Sequence, residues 1–176
     1  MLTSANIGDS LSSLLSTAEK QVVLAAPFIK TSVIDGLFRV ISPLVEVDVF
    51  TRWRTAELAA GVSDLDVFDV VRRRPKARLF LVNDLHAKYY RADEDCLVGS
   101  ANLTMKGLGW CCAPNTEVVL RASRSTCEAF ETHLRKVCWE PDSTFRDQQE
   151  ALLAQFPVES FEIGRASCRE RVCHRV

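Results

Sequence analysis

The chain of 176 residues is 47% hydrophobic and 26% charged, with only 7 Gly and 6 Pro. That is one domain's worth of sequence with enough apolar side chains for its own core, and it excludes collagen-like, low-complexity and strongly disordered classes. The net charge of −1 conceals a tail, residues 163–176, with four Arg against one Glu, so the rest of the chain is near −4 and any nucleic-acid binding must rest on a local patch.

The apolar runs 21–29 and 78–82 are far too short to span a bilayer. Met1–Gln21 has no basic segment leading into an apolar core, so the expectation is a cytoplasmic protein with no membrane attachment. The seven Cys (96, 111, 112, 127, 138, 168 and 173) are odd in number and form no CxxC pair. Reduced thiols are expected, with no metal and no cofactor. The adjacent Cys111 and Cys112 are read as buried or half-buried thiols rather than ligands.

In chain order, Leu11, Leu14, Leu15 and Ala18 make the stripe of an amphipathic helix over Ser10–Glu19. Gln21–Ile29 reads as a buried strand, and Ser32–Ile41 returns to the helical period. Glu46–Trp53 alternates, with Val45, Val47, Val49 and Thr51 on one face, which predicts a strand. Thr55–Gly61 and Ser63–Arg73 read as helices, the second capped by Ser63 with Asp66 three residues on. Lys76–Asn83, a segment from His86, residues around Asp95–Val98, and Thr116–Arg121 read as strands. Ser125–Cys138 and Asp142–Phe156 read as helices. Early strand–helix alternation followed by closely spaced strands predicts an α/β fold, a mixed sheet flanked by helices.

The last residues stand apart. From Glu162 to Val172 the string EIGRASCRERV resembles the translation of a sequencing-library adapter. The expectation is one domain over 1–161, truncated at its C-terminus, and an artefactual tail over 162–176.

Chemistry concentrates in the segment from Leu85 to Thr104. On a strand His86 and Lys88 share a face while Ala87 points the other way. An imidazole beside an ammonium is costly to bury unpaired, so that face is not ordinary core. A second strand then runs into Gly99-Ser100-Ala101-Asn102, where Gly permits a tight turn and a hydroxyl and a carboxamide converge. Nucleophile, cation and two neutral hydrogen-bonding groups form a kit for holding and attacking a phosphodiester.

His86-x-Lys88 followed by Gly99-Ser100-x-Asn102 resembles the HKD motif of the phospholipase D superfamily, and in particular its nuclease-like, single-motif bacterial members. Leu103-Thr104-x-x-Gly107-Leu108 and Asn115-x-Glu117-Val118 fit the same pattern. The resemblance in order of elements covers roughly residues 10–140. One departure is the hairpin: Asp93 stands at the family's distance from Lys88, but five residues rather than six separate it from Gly99. The family's Asp is more structural than chemical, which makes Asp93 a weaker candidate than the others.

The resemblance implies a phospholipase D-like fold and a metal-independent phosphodiesterase acting on nucleic acid, DNA first of all, in a restriction or defence setting. His86 would form a phosphohistidine, Lys88 and Asn102 would hold the non-bridging oxygens with Ser100 assisting, and a second His would protonate the leaving oxygen. Glu117 is the candidate carboxylate behind the His86 ring. Of the three His, His133 has Arg135 where a Lys would stand, so the second imidazole is expected from a partner subunit of a homodimer or from a missing motif. Arg52 and Trp53, after a predicted strand, are candidates to grip a flanking phosphate and to stack a base, with an ordinary surface Arg and a packed Trp as the equal alternative. The run Arg72-Arg73-Arg74 with Lys76 and Arg78 is read as a solvated helix end. The rival readings are a phospholipid phosphodiesterase or phosphatidyltransferase, and a non-catalytic module for dimerisation or DNA docking.

Overall fold

The computed structural model describes residues 2–3 and 7–156, and the predicted tail lies outside them. The stripe at Leu11, Leu14 and Leu15 forms helix α1 (Ile7–Ser16), one turn earlier than its pattern suggested because Ile7 joins the buried face. Three parallel strands follow: β2 (Gln21–Ala25), β3 (Glu46–Thr51) and β4 (Ala77–Leu81), with Val23 opposite Asp48 and Val49 opposite Leu79. Parallel neighbours need crossovers. Here these are α2 (Thr31–Val40), then α3 (Thr55–Ala59) with α4 (Val67–Arg73).

β5 (Lys88–Ala92) and β6 (Asp95–Gly99) form a hairpin whose two-residue turn is Asp93–Glu94, and β5 lies antiparallel to β2. After the short helix α5 (Met105–Leu108), β7 (Val118–Ser123) pairs with β6, and β1 (Leu2–Thr3) pairs with β7. The result is a seven-stranded mixed sheet in the order β1-β7-β6-β5-β2-β3-β4. Helices α6 (Arg124–Val137), N-capped by Ser123, and α7 (Ser143–Leu153), N-capped by Asp142, complete the described chain. The expected α/β class, a mixed sheet with flanking helices, is what forms.

One sheet face carries Val22, Leu24, Val47, Val49 and Leu97 beneath Leu11, Leu15, Ile34, Leu37 and Val71 of α1, α2 and α4. Each such side chain, fully buried, contributes about 1.5–3 kcal/mol over exposure. The other face packs Val23, Ala25, Phe50, Tyr89 and Cys96 against Leu134 of α6. The alternation of β3 therefore does not mark a solvent face, since Asp48 and Phe50 are buried as well. Asp48 is accommodated by Arg78 at 3.0 Å, Arg135 at 2.8 Å and Gln21 at 3.1 Å. Arg91, 1% exposed, is likewise held by both Glu131 oxygens at 2.8 and 3.0 Å. A buried charge survives only when so paired.

Ser63 does not cap α4, which begins at Val67; its buried hydroxyl instead accepts from the Ile29 amide at 3.2 Å. Asp93, at φ +50°, accepts from the amides of Glu19, Lys20 and Gln21 at 2.7, 3.0 and 2.9 Å, tying the hairpin tip to the α1–β2 connection. Short polar residues such as Asp tolerate this left-handed backbone. Among the described residues no helix is long and apolar enough to cross a membrane.

Candidate active site

Strands β2, β3 and β4 all end at the same edge of the sheet. From β4 the chain runs through residues 82–87 along that edge and enters β5 at Lys88, so His86 sits just before the strand rather than on it. Lys88 faces Gly99 across the hairpin, and Gly99 faces Val119 on β7. The entry of the hairpin therefore brings His86 and Lys88 beside its exit, Ser100–Asn102.

The two basic groups differ in setting. His86 is exposed, whereas Lys88 is 7% exposed and donates its ammonium to the His86 carbonyl at 2.8 Å. Burial pushes the Lys88 ammonium below its ordinary pKa; the nearby Glu117 carboxylate opposes this and the Arg52 guanidinium adds to it.

The exit turn is fixed by close packing. A Cβ at Gly99 would stand 2.1 Å from the Val118 carbonyl oxygen, so only glycine lets β6 approach β7 here. Ser100 then donates its amide to that carbonyl at 3.0 Å, and its hydroxyl accepts from the Val118 amide at 3.1 Å while donating to Glu117. The Tyr90 phenol, fully buried, donates to the Ala101 carbonyl at 2.5 Å. The Asn102 carbonyl accepts from Thr104 at 2.8 Å, and the Asn102 side-chain oxygen is buried without a hydrogen-bond partner.

The remaining expected residues take other positions. Glu117 accepts from Ser100 and from Asn115, the latter at 3.1 Å. Its charge also acts on Lys88. Arg52 does not reach outward. It is 8% exposed, with Nε and Nη2 on Glu57 at 3.0 and 2.5 Å, Nη1 on the Leu85 carbonyl at 2.8 Å, and its guanidinium over the Phe28 ring. Trp53 lies parallel to Phe145 of α7 and tilted against Phe68, its ring part of the packing rather than a platform for a base. His133 is exposed on α6, the helix covering the other sheet face. Among the described residues no three His, Cys, Asp or Glu side chains group to hold a metal ion.

Sequence reasoning missed Tyr90 as a support of the site. A phenol two residues beyond Lys88 on a strand with both faces covered needs a buried partner, which was the available signal for Tyr90. Gly107, part of the motif pattern, packs on the Asn102 backbone, an approach the pattern alone does not show.

No family model matches the chain, and no curated protein matches it in sequence. Solved structures do match in shape. Nuc from Salmonella typhimurium, a phospholipase D family member, aligns with a TM-score of 0.60 at 17% identity, over 77% of this chain and 90% of its own. The chain has a phospholipase D-like fold. NucT from Helicobacter pylori aligns at 0.61 and 15% identity, over 76% of this chain and 89% of its own. The phosphatidylserine synthase of Haemophilus influenzae Rd KW20 aligns at 0.65 and 14% identity, over 88% of this chain but 42% of its own. At these identities the phospholipase D likeness is one of fold, and the chemistry has to be argued from the residues.

Proposed function

We propose that this chain is a metal-independent phosphodiesterase that cleaves nucleic acid, DNA first of all, through a phosphohistidine on His86. The observation that supports this reading is the register of the β5–β6 hairpin: Lys88 pairs with Gly99, so the segment carrying the exposed His86 enters the hairpin where Ser100–Asn102 leave it. The imidazole nitrogen of His86 attacks phosphorus as the bond to the leaving oxygen breaks, and a second imidazole gives that oxygen a proton. Lys88 and Asn102, with Ser100, offset the charge on the non-bridging oxygens. Water deprotonated by the second imidazole then cleaves the phosphorus–nitrogen bond and restores His86.

The second imidazole is that of His86 in another copy of the chain, brought across a two-fold axis. Supporting the nuclease-like reading, the sequence carries a single HxK motif, and its fold is similar to those of NucT and Nuc. The setting is bacterial restriction or defence, on the strength of the motif resemblance.

A phosphatidyltransferase is the second reading, favoured by the 0.65 TM-score to phosphatidylserine synthase. The test offers plasmid DNA and a phosphatidyl substrate in parallel, each with EDTA, using His86→Ala as control. DNA cleavage that survives EDTA and vanishes in the variant supports the nuclease. Turnover of the lipid alone supports the second reading. Inactivity on both substrates supports a docking module, and strict magnesium dependence overturns the metal-free mechanism.

A further inference from the structure

The segment 82–87 carries the exposed His86, yet its backbone is held at four points by buried or neighbouring groups. The Val82 amide donates to Thr51 O at 2.9 Å, and Arg54 reaches the Asn83 carbonyl at 3.4 Å. Arg52 donates to the Leu85 carbonyl and Lys88 to the His86 carbonyl, both at 2.8 Å. Three of these four anchors come from Thr51, Arg52 and Arg54, so the connection after β3 is a template for the segment that presents the imidazole. Two consecutive carbonyls, one on each side of the His86 peptide nitrogen and α-carbon, are fixed by two different buried cations.

Of these anchors Arg52 is the one with a built support. A planar guanidinium can bond a carboxylate in two-pronged fashion and still offer further donors to a third group. Arg52 does so: Glu57 takes Nε and Nη2, which leaves Nη1 pointed at Leu85. The Phe28 ring closes the guanidinium face at 5.3 Å from its central carbon, and Leu85 itself is buried. Lysine would have one ammonium for two partners and could not reproduce the fork.

We infer that Arg52, oriented by Glu57, is a positioning residue for His86: it fixes the peptide ahead of the nucleophile and touches no substrate. The inference rests on His86 being the nucleophile for its kinetic consequence, but the ordering of the loop stands by itself. Misplacement of a nucleophile by about 1 Å costs on the order of 10²-fold in rate.

The experiment compares Arg52→Gln, Arg52→Lys and Glu57→Gln with wild type in three measurements. By NMR relaxation, residues 85–87 should lose order in Arg52→Gln and the His86 ring signals should broaden, with Arg52→Lys partly restoring both. For DNA cleavage, kcat should fall about 10²-fold, with KM within about twofold of wild type. Binding to a phosphorothioate oligonucleotide should keep its dependence on salt, whereas an arginine gripping phosphate would lower that slope by about one unit. Glu57→Gln, a milder change, should move the NMR and kcat readouts the same way and so stand in if Arg52→Gln does not fold. A lowered salt slope, or unchanged order at 85–87 in folded variants, overturns the inference. If wild type cleaves no DNA, the nuclease reading fails while the NMR result still decides the positioning role.

Discussion

The Tyr90 phenol, on the same strand face as Lys88, donates to the Ala101 carbonyl between Ser100 and Asn102. Burial, with the Glu117 carboxylate adding to it, pushes the phenol well above its ordinary pKa, so it remains a donor throughout the working range. One strand thereby carries both the cation of the site and the strut beneath its polar turn. Tyr90→Phe leaves the Ala101 carbonyl buried and unpaired, which should cost about 1–3 kcal/mol. Urea denaturation gives that value, and plasmid cleavage should fall by about tenfold as the turn loosens. A variant as stable and active as wild type would show that Ser100 and Asn102 are held by other means.

Gly107→Ala should damage activity more than stability. The added Cβ would meet the Asn102 carbonyl oxygen at 2.6 Å and its amide nitrogen at 3.0 Å, both backbone atoms with little room to yield. The shift displaces the carboxamide proposed to hold phosphate while the sheet stays intact. Thermal melting beside kcat at saturating DNA separates the two effects; a lost fold with proportionate loss of rate would contradict this assignment.

Asp93 should give stability that fades in acid. Burial alone would raise its carboxyl, but the amides of Glu19, Gln21 and Lys20, with the Lys20 ammonium, hold it below the ordinary value. A depressed folded pKa means the stabilisation is complete above the unfolded value of about 3.9 and is lost as pH falls through the folded one. Asp93→Asn keeps a residue tolerant of φ +50° and removes the charge. The stability gap between wild type and variant should therefore be present at neutral pH and shrink in acid. Urea midpoints measured across that range check it, and a constant gap would refute it.

Lys88 should titrate below the ordinary lysine range, because burial lowers its pKa while the Glu117 carboxylate opposes the shift. Glu117→Gln removes that opposing charge, so the Lys88 pKa should move further down. Direct titration of the Lys88 side chain by NMR in both proteins is the measurement, since the pH–rate profile is limited first by the proposed imidazole acid. An unmoved or raised Lys88 pKa in the variant would detach Glu117 from Lys88.

Specific activity should drop on dilution under the proposed mechanism, in which the in-line proton donor comes from a second copy. Mixed subunits of His86→Ala and Lys88→Ala should remain inactive, each shared site lacking one residue on each side. Full specific activity in a protein shown monomeric by light scattering at assay concentration would end the two-fold reading.

Most strands were legible along the chain where apolar runs were short and bounded, as at Gln21–Ala25, though neither β1 nor the order of strands in the sheet was, and the spacing of His86, Lys88, Ser100 and Asn102 was legible because these types cluster nowhere else in the chain. What could not be read was direction. Arg52 and Trp53 look like surface groups by position, yet partners distant in the chain, Leu85 for one and Phe145 for the other, draw both inward. Asp48 was hidden for the same reason: its cations come from Arg78 and Arg135, far along the sequence. Local pattern reports a side chain's type and period, while its neighbours are set by the closing of the sheet.

The hairpin has two ends with unlike duties. Roughly 15 Å of paired strand lies between Asp93, gripped by the α1–β2 connection, and the Lys88–Gly99 pair at the candidate site. An added or missing residue at Asp93–Glu94 leaves Lys88 opposite Gly99, whereas the same change within Cys96–Val98 would turn the following side chains to the other face. The tip can thus change length as an adjustable handle while the pairing at the candidate site keeps its register. The five-residue distance from Asp93 to Gly99 is for that reason compatible with the same pairing of Lys88 with Gly99.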